Sequence, residues 1–333
     1  MTKENVLFMG TVRHGQAKEA ELAKKYNLHY ATGTRQELIE YLAKAKQEGV
    51  IFKALYRGFA SHYTLGRVDS ELLEHFPRKL EIIGSVGAGY DFVDTQHATL
   101  NSQWVTNTPG VVDDATADAT VLLMLSVLRN QYEIEHNLRN GIKAKPRIGR
   151  DPTGMTLGIV GMGGIGKAFA KRAYAMGMKI LYYNRKPIAV QDSDDVAIRT
   201  ATYTPTLESL LQQSDVVSLH VPLSDATRHL ISAKDLALMK PGSYLLNTAR
   251  GPIVDEQALV DALESGHLAG AGLDVFENEP LVHPSLLRSM NVSLMPHLGA
   301  FTIETISKME TCAMENIDSF LSQGRPLTPV NSF

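Results

Sequence analysis

The stretch Leu157-Gly158-Ile159-Val160-Gly161-Met162-Gly163-Gly164-Ile165-Gly166-Lys167-Ala168 decides the fold. An apolar strand runs into a G-x-G-x-x-G turn, and a helix is predicted from Lys167 to about Met176. In that setting each glycine has a mechanical task. Gly161 allows the tight turn, Gly163 lets a pyrophosphate approach the backbone, and Gly166 lets helix and strand pack closely. The glycines alone are weak evidence, but the strand before them and the helix after them supply the context of a dinucleotide site. An earlier glycine pair, in Gly10-Thr11-Val12-Arg13-His14-Gly15, lacks the Lys-Ser/Thr of a P-loop and reads as a turn.

The next strand ends at Tyr183 and is followed by Asn184-Arg185-Lys186. An NAD site usually places an acid here, about 20 residues past the first glycines, to accept from the ribose hydroxyls. No carboxylate is present to repel a 2′-phosphate, and Arg185 offers a planar fork of donors suited to one. Charge complementarity therefore predicts NADP over NAD. The alternative leaves Arg185 and Lys186 as ordinary exposed charges, with Asn184 serving the ribose.

Outward from the glycine loop, short aliphatic runs alternate with amphipathic stretches: Val6–Met9, Leu80–Ile83, Leu157–Val160, Lys179–Tyr183, Val216–Leu219 and Ser243–Leu246. That alternation predicts βαβ units and parallel sheet. The most strongly helical stretch, about Asp113 to Arg139, has two aspartates in its first turn and Gly141 after its end, and reads as one long interdomain helix. Its run Val121-Leu122-Leu123-Met124-Leu125 is apolar over more than one stripe, which suggests burial on several sides. From Gly141 to Gly158 the composition turns to Lys, Arg, Pro and Gly, including Lys143, Lys145, Pro146, Arg147, Arg150 and Pro152, as expected of a surface loop feeding a strand.

Bulk properties narrow the function. At 333 residues, 44% hydrophobic and 21% charged, the chain has material for two cored domains. A formal net charge of −3, from 33 Lys+Arg against 36 Asp+Glu, gives no global field for nucleic acid or an anionic membrane. A small-molecule partner is expected. One cysteine, Cys312, can form neither an intrachain disulfide nor a cysteine zinc site, so no metal is predicted and a reducing compartment suits the chain. The charged start Met1-Thr2-Lys3-Glu4-Asn5 lacks a signal-peptide core, and Ala119–Leu128 is about half the roughly 20 residues that cross a bilayer. The expectation is a cytoplasmic protein.

Three polar residues follow strand-like segments in the second half: Arg250 in Asn247-Thr248-Ala249-Arg250-Gly251, Glu279 in Gly272–Pro280, and His297 in Met295-Pro296-His297-Leu298-Gly299. Singly they read as a surface arginine, a helix-terminal acid and a packed histidine. Together they meet the needs of reducing a 2-oxo acid beside a nicotinamide. A cationic fork orients the carboxylate and polarises the ketone, and an acid protonates the forming alkoxide. Histidine suits that proton, and a neighbouring carboxylate fixes its ring and favours imidazolium.

With these residues in view, the sequence resembles the D-isomer-specific 2-hydroxyacid dehydrogenases, a family that includes glyoxylate/hydroxypyruvate reductases and D-lactate, D-mandelate and D-3-phosphoglycerate dehydrogenases. The resemblance covers nearly the whole chain. It rests on Gly84-Ser85-Val86-Gly87-Ala88-Gly89-Tyr90-Asp91, on Asn107-Thr108-Pro109-Gly110 with Ala115-Thr116-Ala117-Asp118, and on the glycine loop. It continues through His220-Val221-Pro222-Leu223, Asn247–Gly251, Gly272–Pro280 and Pro296–Gly299.

The resemblance implies roles by position. Arg250 looks like the substrate-orienting arginine, Glu279 the carboxylate partner and His297 the acid/base. Val86 and Gly87 resemble the amides that hold the substrate carboxylate. Thr116, Gly161, Gly163, Gly164, Ile165, Gly166, Asn184, Arg185, Lys186, His220, Val221, Pro222, Thr248, Ala249, Arg250, Asp274, His297 and Gly299 fall where the family lines its cofactor cleft. The implied fold is α/β with two doubly wound parallel-sheet domains. A Rossmann nucleotide domain, 112–300, is inserted in a flavodoxin-like substrate domain built from 1–111 and 301–333. Family members usually dimerise through the long-helix region, so a homodimer is expected.

Two departures and one alternative follow. Asn184-Arg185 resembles NADP-preferring members, with NAD still possible. Formate dehydrogenases of the superfamily carry glutamine where Glu279 stands, which disfavours their chemistry, and the end at Phe333 leaves no room for the regulatory domain of many phosphoglycerate dehydrogenases. C-terminal-binding co-repressors share this fold and the same Arg, Glu and His, so a dinucleotide-sensing protein-binding module is the alternative to an enzyme. Tyr56, Arg57 and Phe59 lie where the family places a loop over the active site, with Tyr90 adjoining the carboxylate loop. Arg57 is thus a candidate substrate contact, and the aromatics hint at a larger apolar 2-oxo acid, unless they simply pack the small domain.

Overall fold

Five short runs rich in branched and aromatic residues build the first sheet: β1 Asn5–Met9, β2 Asn27–Ala31, β3 Phe52–Arg57, β4 Ile82–Ser85 and β5 Trp104–Thr106. In this computed structural model, which describes residues 3–145, 147–189 and 193–333, every pairing in the sheet is parallel. The order is β2-β1-β3-β4-β5, the flavodoxin-like doubly wound arrangement. Strands covered on both faces read as continuous apolar runs, and Val6 to Met9 are all fully buried. β4 begins two residues later than its hydrophobic run predicts.

The C-terminal helix, Ile303–Gln323, belongs to this same unit, which comprises 1–112 and 301–333. Thr302 caps its start by accepting from the Thr305 amide at 3.2 Å, and Gly324, at φ +77°, ends it. Ile306, Met309, Ala313 and Ile317 recur at helical spacing and are buried. Gly84 lets that face come close, since a Cβ there would stand 2.9 Å from the Ala313 carbonyl oxygen.

The second unit, 113–300, carries seven strands. They are β6 Thr156–Val160, β7 Lys179–Tyr183, β8 Thr202–Tyr203, β9 Val216–Leu219, β10 Ser243–Asn247, β11 Leu268–Leu273 and β12 Val292–Leu294. All pair parallel in the order β12-β11-β10-β9-β6-β7-β8. The strand order reverses between β6 and β9, the switch point at which an open α/β sheet forms a crevice beyond its carboxyl ends.

The predicted single long helix is corrected to two. α1, Asp113–Leu128, stops, and α2, Gln131–Arg139, starts after Asn130 adopts a left-handed φ of +51°. Asparagine is among the few residues that visit this region readily, so the break falls where the sequence tolerates it. α1 packs against α3, Gly164–Ala175, and against β10, β11 and β12, while Leu122 remains exposed. The sequence-predicted loop before β6 is irregular, with Pro146 outside the described residues. Among the described residues no helix is long and apolar enough to cross a membrane.

Candidate active site

At the end of β6 the chain turns through Gly161 with φ +100°, and a Cβ there would stand 2.7 Å from the His220 carbonyl oxygen. A Cβ on Gly166 would meet the Gly161 carbonyl oxygen at 2.2 Å, so this glycine is required by close helix–strand packing. Gly163 has nothing within 4 Å of its Cβ direction, which leaves its face open to an approaching phosphate. α3 begins at Gly164, three residues before the predicted Lys167, so Gly164, Ile165 and Gly166 lie in its first turn. The amides of that turn have no intrahelical acceptor and form the positive end of the helix.

Asn184, just past β7, accepts from the Met162 amide at 2.9 Å and so ties the second strand to the loop. Arg185 and Lys186 are exposed and make no hydrogen bond or ion pair among the described residues. On the other side of the switch point, the His220 amide donates to the Val160 carbonyl at 2.8 Å, and its Nε2 meets Ser218 Oγ at 2.8 Å. Burial holds the His220 ring down to about pKa 3, so it is neutral, and its Nδ1 is buried without a partner among the described residues. The ring packs 5.7 Å from the buried Phe169 of α3, so it lies in the core beneath the helix that the glycine loop begins. Val221 packs beside Gly161, and the Pro222 carbonyl accepts from Thr227.

β10 ends in a turn that Asn247 organises. Its Oδ1 accepts from the Ala249 amide at 3.0 Å and its Nδ2 donates to the Arg250 carbonyl at 2.8 Å. Thr248 shares a 2.9 Å hydroxyl contact with Thr120, which lies one helical turn beyond the buried Thr116 on α1. Arg250 itself has extended backbone, and its Nη1 donates to the Ala249 carbonyl at 2.6 Å. Gly251 touches the segment after β11 so closely that a Cβ would lie 1.9 Å from both the carbonyl carbon and the oxygen of Phe276.

Asp274 controls the turn that carries His297. Its carbonyl accepts from the His297 amide at 2.7 Å, Oδ1 from Leu298 at 2.7 Å and Oδ2 from Gly299 at 2.8 Å. Burial pushes the Asp274 carboxyl up, against the pull of the Leu298 and Gly299 amides and of His297. His297 adopts φ +58°, a left-handed backbone that costs a non-glycine residue about 1 kcal/mol or more. Those three bonds hold it there. Its Nδ1 meets Glu279 Oε2 at 2.7 Å, while Oε1 of Glu279 accepts from the Phe276 amide at 3.1 Å. Burial tends to raise the Glu279 carboxyl, but the His297 bond and charge, the Phe276 amide and Arg250 outweigh it and hold the group below its ordinary 4.5.

The support under this cluster comes mainly from residues that carry no motif of their own. His229, also left-handed at φ +50°, reaches Glu277 at 2.7 Å, and Glu277 and Glu256 exchange backbone-to-carboxylate bonds at 3.0 and 3.2 Å. These bonds fix the Phe276–Glu279 segment. Glu277 lies inside a motif already noted, but its partner 48 residues earlier carries no local signal.

In the first unit one expectation is corrected. Tyr56 is a core residue of β3, fully buried and stacked on Phe8 at 4.6 Å, and no part of a loop. Arg57 is only 2% exposed, with Nε on Ser85 at 2.8 Å and Nη2 on the Val86 carbonyl at 2.9 Å, so it supports the loop after β4 from beneath. The Val86 amide donates to the Arg57 carbonyl at 3.0 Å and the Gly87 amide to Thr108 Oγ1 at 3.0 Å. Both amides therefore already have acceptors within the unit. Phe59 packs near Phe301 at 5.9 Å. The Gly10–Gly15 segment is a turn with a purpose, since the amides of Arg13, His14 and Gly15 all bind the buried Glu310 carboxylate.

A glycine loop at the switch point of one parallel sheet, with an arginine and a carboxylate-held histidine at neighbouring strand ends, defines an oxidoreductase of the dinucleotide-dependent class. Residues 121–299 match the NAD binding domain of the D-isomer specific 2-hydroxyacid dehydrogenases. The chain is 40% identical over 328 residues to 4-methyl-2-oxopentanoate reductase A of Aspergillus oryzae, covering 98% of this chain and 97% of that protein. It resembles the crystal structure of a glyoxylate reductase from Paecilomyes thermophila with a TM-score of 0.92 and 40% identity, over 99% of each chain. It also resembles an NADPH-dependent glyoxylate/hydroxypyruvate reductase from Sinorhizobium meliloti, with a TM-score of 0.85 and 32% identity over 99% of this chain and 97% of that one. The chain belongs to the D-isomer specific 2-hydroxyacid dehydrogenase family.

Proposed function

We propose that the chain reduces a 2-oxo acid to the D-2-hydroxy acid with NADPH, and that His297 supplies the proton. The observation that carries this reading is the 2.7 Å His297–Glu279 couple at the same carboxyl edge of the sheet as Arg250 and the glycine loop. When bound, the reduced nicotinamide supplies the hydride. Because a carboxylate only accepts, Nδ1 of His297 carries a proton toward Glu279, and Nε2 is the nitrogen left to face the substrate. In reduction Nε2–H gives its proton to the ketone oxygen as the carbonyl carbon becomes tetrahedral, and Glu279 stabilises the charge on the ring before transfer. Arg250 orients the substrate carboxylate and polarises the ketone through its planar donors.

Gly161 to Gly166, Asn184, His220 and Thr248 would hold the dinucleotide. NADP is favoured by Arg185 and Lys186, two cations at the end of β7 that make no hydrogen bond or ion pair among the described residues. Exposed Leu122, Leu138 and Ile148 support pairing of two chains through α1, α2 and the loop that follows. A half-buried, unpaired Cys312 suits a reducing cytoplasm. The alternative of a protein-binding module rests on shared fold alone and gains no observation of its own.

Loss of NADPH absorbance on adding glyoxylate, hydroxypyruvate, 4-methyl-2-oxopentanoate or phenylglyoxylate tests the reading and selects the substrate. His297→Ala should lower kcat by at least roughly 100-fold. Folded wild-type protein that turns over none of these acids, or a folded His297→Ala that keeps wild-type kcat, would overturn it.

A further inference from the structure

Asp113 is the first residue of α1, and its side chain lies on the glycine loop. A Cβ added to Gly164 would stand 2.0 Å from Asp113 Oδ2, 2.6 Å from Cγ and 2.9 Å from Oδ1. The whole carboxylate therefore rests against the first residue of α3. Its acidic neighbours are engaged elsewhere, because Asp114 and Asp118 both bind Arg172, at 3.1 and 2.6 Å. Asp113 makes no hydrogen bond or ion pair among the described residues. It is half-buried, and burial together with Asp114 pushes its carboxyl above the ordinary range. What favours an anion at this spot is the positive end of α3.

That end of α3 is also what a dinucleotide pyrophosphate needs. We propose that Asp113 sets the affinity of the glycine loop for its dinucleotide, as an internal anion that binding must displace or neutralise. The inference rests on the reading of Gly161–Gly166 as a dinucleotide site. It predicts an effect on NADPH and NADH alike, because the pyrophosphate is common to both, whereas Arg185 would act on their ratio.

The test is the dissociation constant for each dinucleotide, followed by nicotinamide fluorescence and by the shift in melting temperature, with no substrate present. Asp113→Asn keeps the shape and removes the charge, and should tighten both cofactors about fivefold, the scale of one charge at a partly buried helix terminus. The gain should shrink in high salt. Asp114→Asn makes the same charge change one residue away, on a side chain committed to Arg172, and should leave both constants within twofold. Asp113→Ser repeats the test if the asparagine variant fails to fold. Unchanged or weaker binding in the folded Asp113 variants, or an equal gain from Asp114→Asn, would refute the role of Asp113 while leaving the dinucleotide site intact. If wild-type protein binds neither NADPH nor NADH, both the proposal and the dinucleotide reading fail.

Discussion

Gly251→Ala is the smallest change that should disconnect Arg250 from the His297–Glu279 couple. Its new Cβ would fall 1.9 Å from the Phe276 carbonyl carbon and oxygen and 2.5 Å from the Glu277 amide, whereas real Cβ atoms essentially never approach within 3.0 Å. Relief therefore needs a movement of at least 1.1 Å, and the obstacle is backbone, which cannot rotate aside as a side chain would. Neither side yields easily. Asn247 bonds both the Ala249 amide and the Arg250 carbonyl, and Glu256 and His229 hold Glu277. Overpacking of this kind costs about 1–3 kcal/mol, and a displacement of about 1 Å between catalytic groups costs about 100-fold in rate. The variant should melt a few degrees lower, still bind NADPH, and lose about 100-fold in kcat/KM for the best 2-oxo acid. A folded variant with kcat/KM within threefold of wild type would show that the contact between Arg250's turn and the Glu279 segment does not organise the site.

Replacing Glu279 by Gln keeps a hydrogen-bond acceptor near His297 but removes the negative charge, so kcat should fall by about 10- to 100-fold with little change in NADPH affinity; equal loss from Glu279→Ala and Glu279→Gln would argue against a charge effect. Arg185→Ala should lower the ratio of kcat/KM for NADPH over NADH by about tenfold or more, and an unchanged ratio sinks the NADP assignment. Asp318, held below its ordinary 3.8 against burial by Lys25, Tyr26 and Lys18, should contribute about 1–2 kcal/mol to stability. Because its folded value is depressed, that contribution is complete above the ordinary value and disappears as pH falls through the lower folded one. Chemical denaturation of wild type and Asp318→Asn should thus differ at neutral pH, and the gap should narrow progressively as pH falls below 3.8; a gap that does not narrow at all on acidification would contradict the assigned cause.

The parts of the fold legible in the sequence are those fixed by local constraint. Gly161 needs a positive φ and Gly166 has no room for a Cβ, so both glycines could be read before any contact was known. The apolar runs of β6, β7, β9 and β10 announce strands covered on both faces, and the motif order marks Arg250, Glu279 and His297. Less legible were features decided by contacts distant in sequence. Propensity carries one helix through Arg129 and Asn130, and only the left-handed Asn130 breaks it. Tyr56 and Arg57 follow each other in β3, yet parallel pairing buries both, and a buried arginine becomes readable only when Ser85 and the Val86 carbonyl are seen to receive it. Asp113 looked like an ordinary first-turn acid. Its placement against Gly164 depends on how α1 packs on α3, 51 positions away, and no periodicity reports that.

The site joins two opposing requirements through Asp274. A buried carboxylate is unfavourable unless donors surround it, and a histidine in the left-handed region is unfavourable unless its backbone is held. Each difficulty answers the other here. The turn that His297 strains to make aims the Leu298 and Gly299 amides at Asp274, and the carboxylate so satisfied holds the turn. Gly299 admits this only because it lacks a side chain, since a Cβ would stand 2.8 Å from Asp274 Oδ2. The ring is thus presented to Glu279 by a backbone that cannot relax without stripping a buried acid of both its donors. A side chain fixed this way loses little entropy on engaging a partner, so its orientation is settled before any partner arrives.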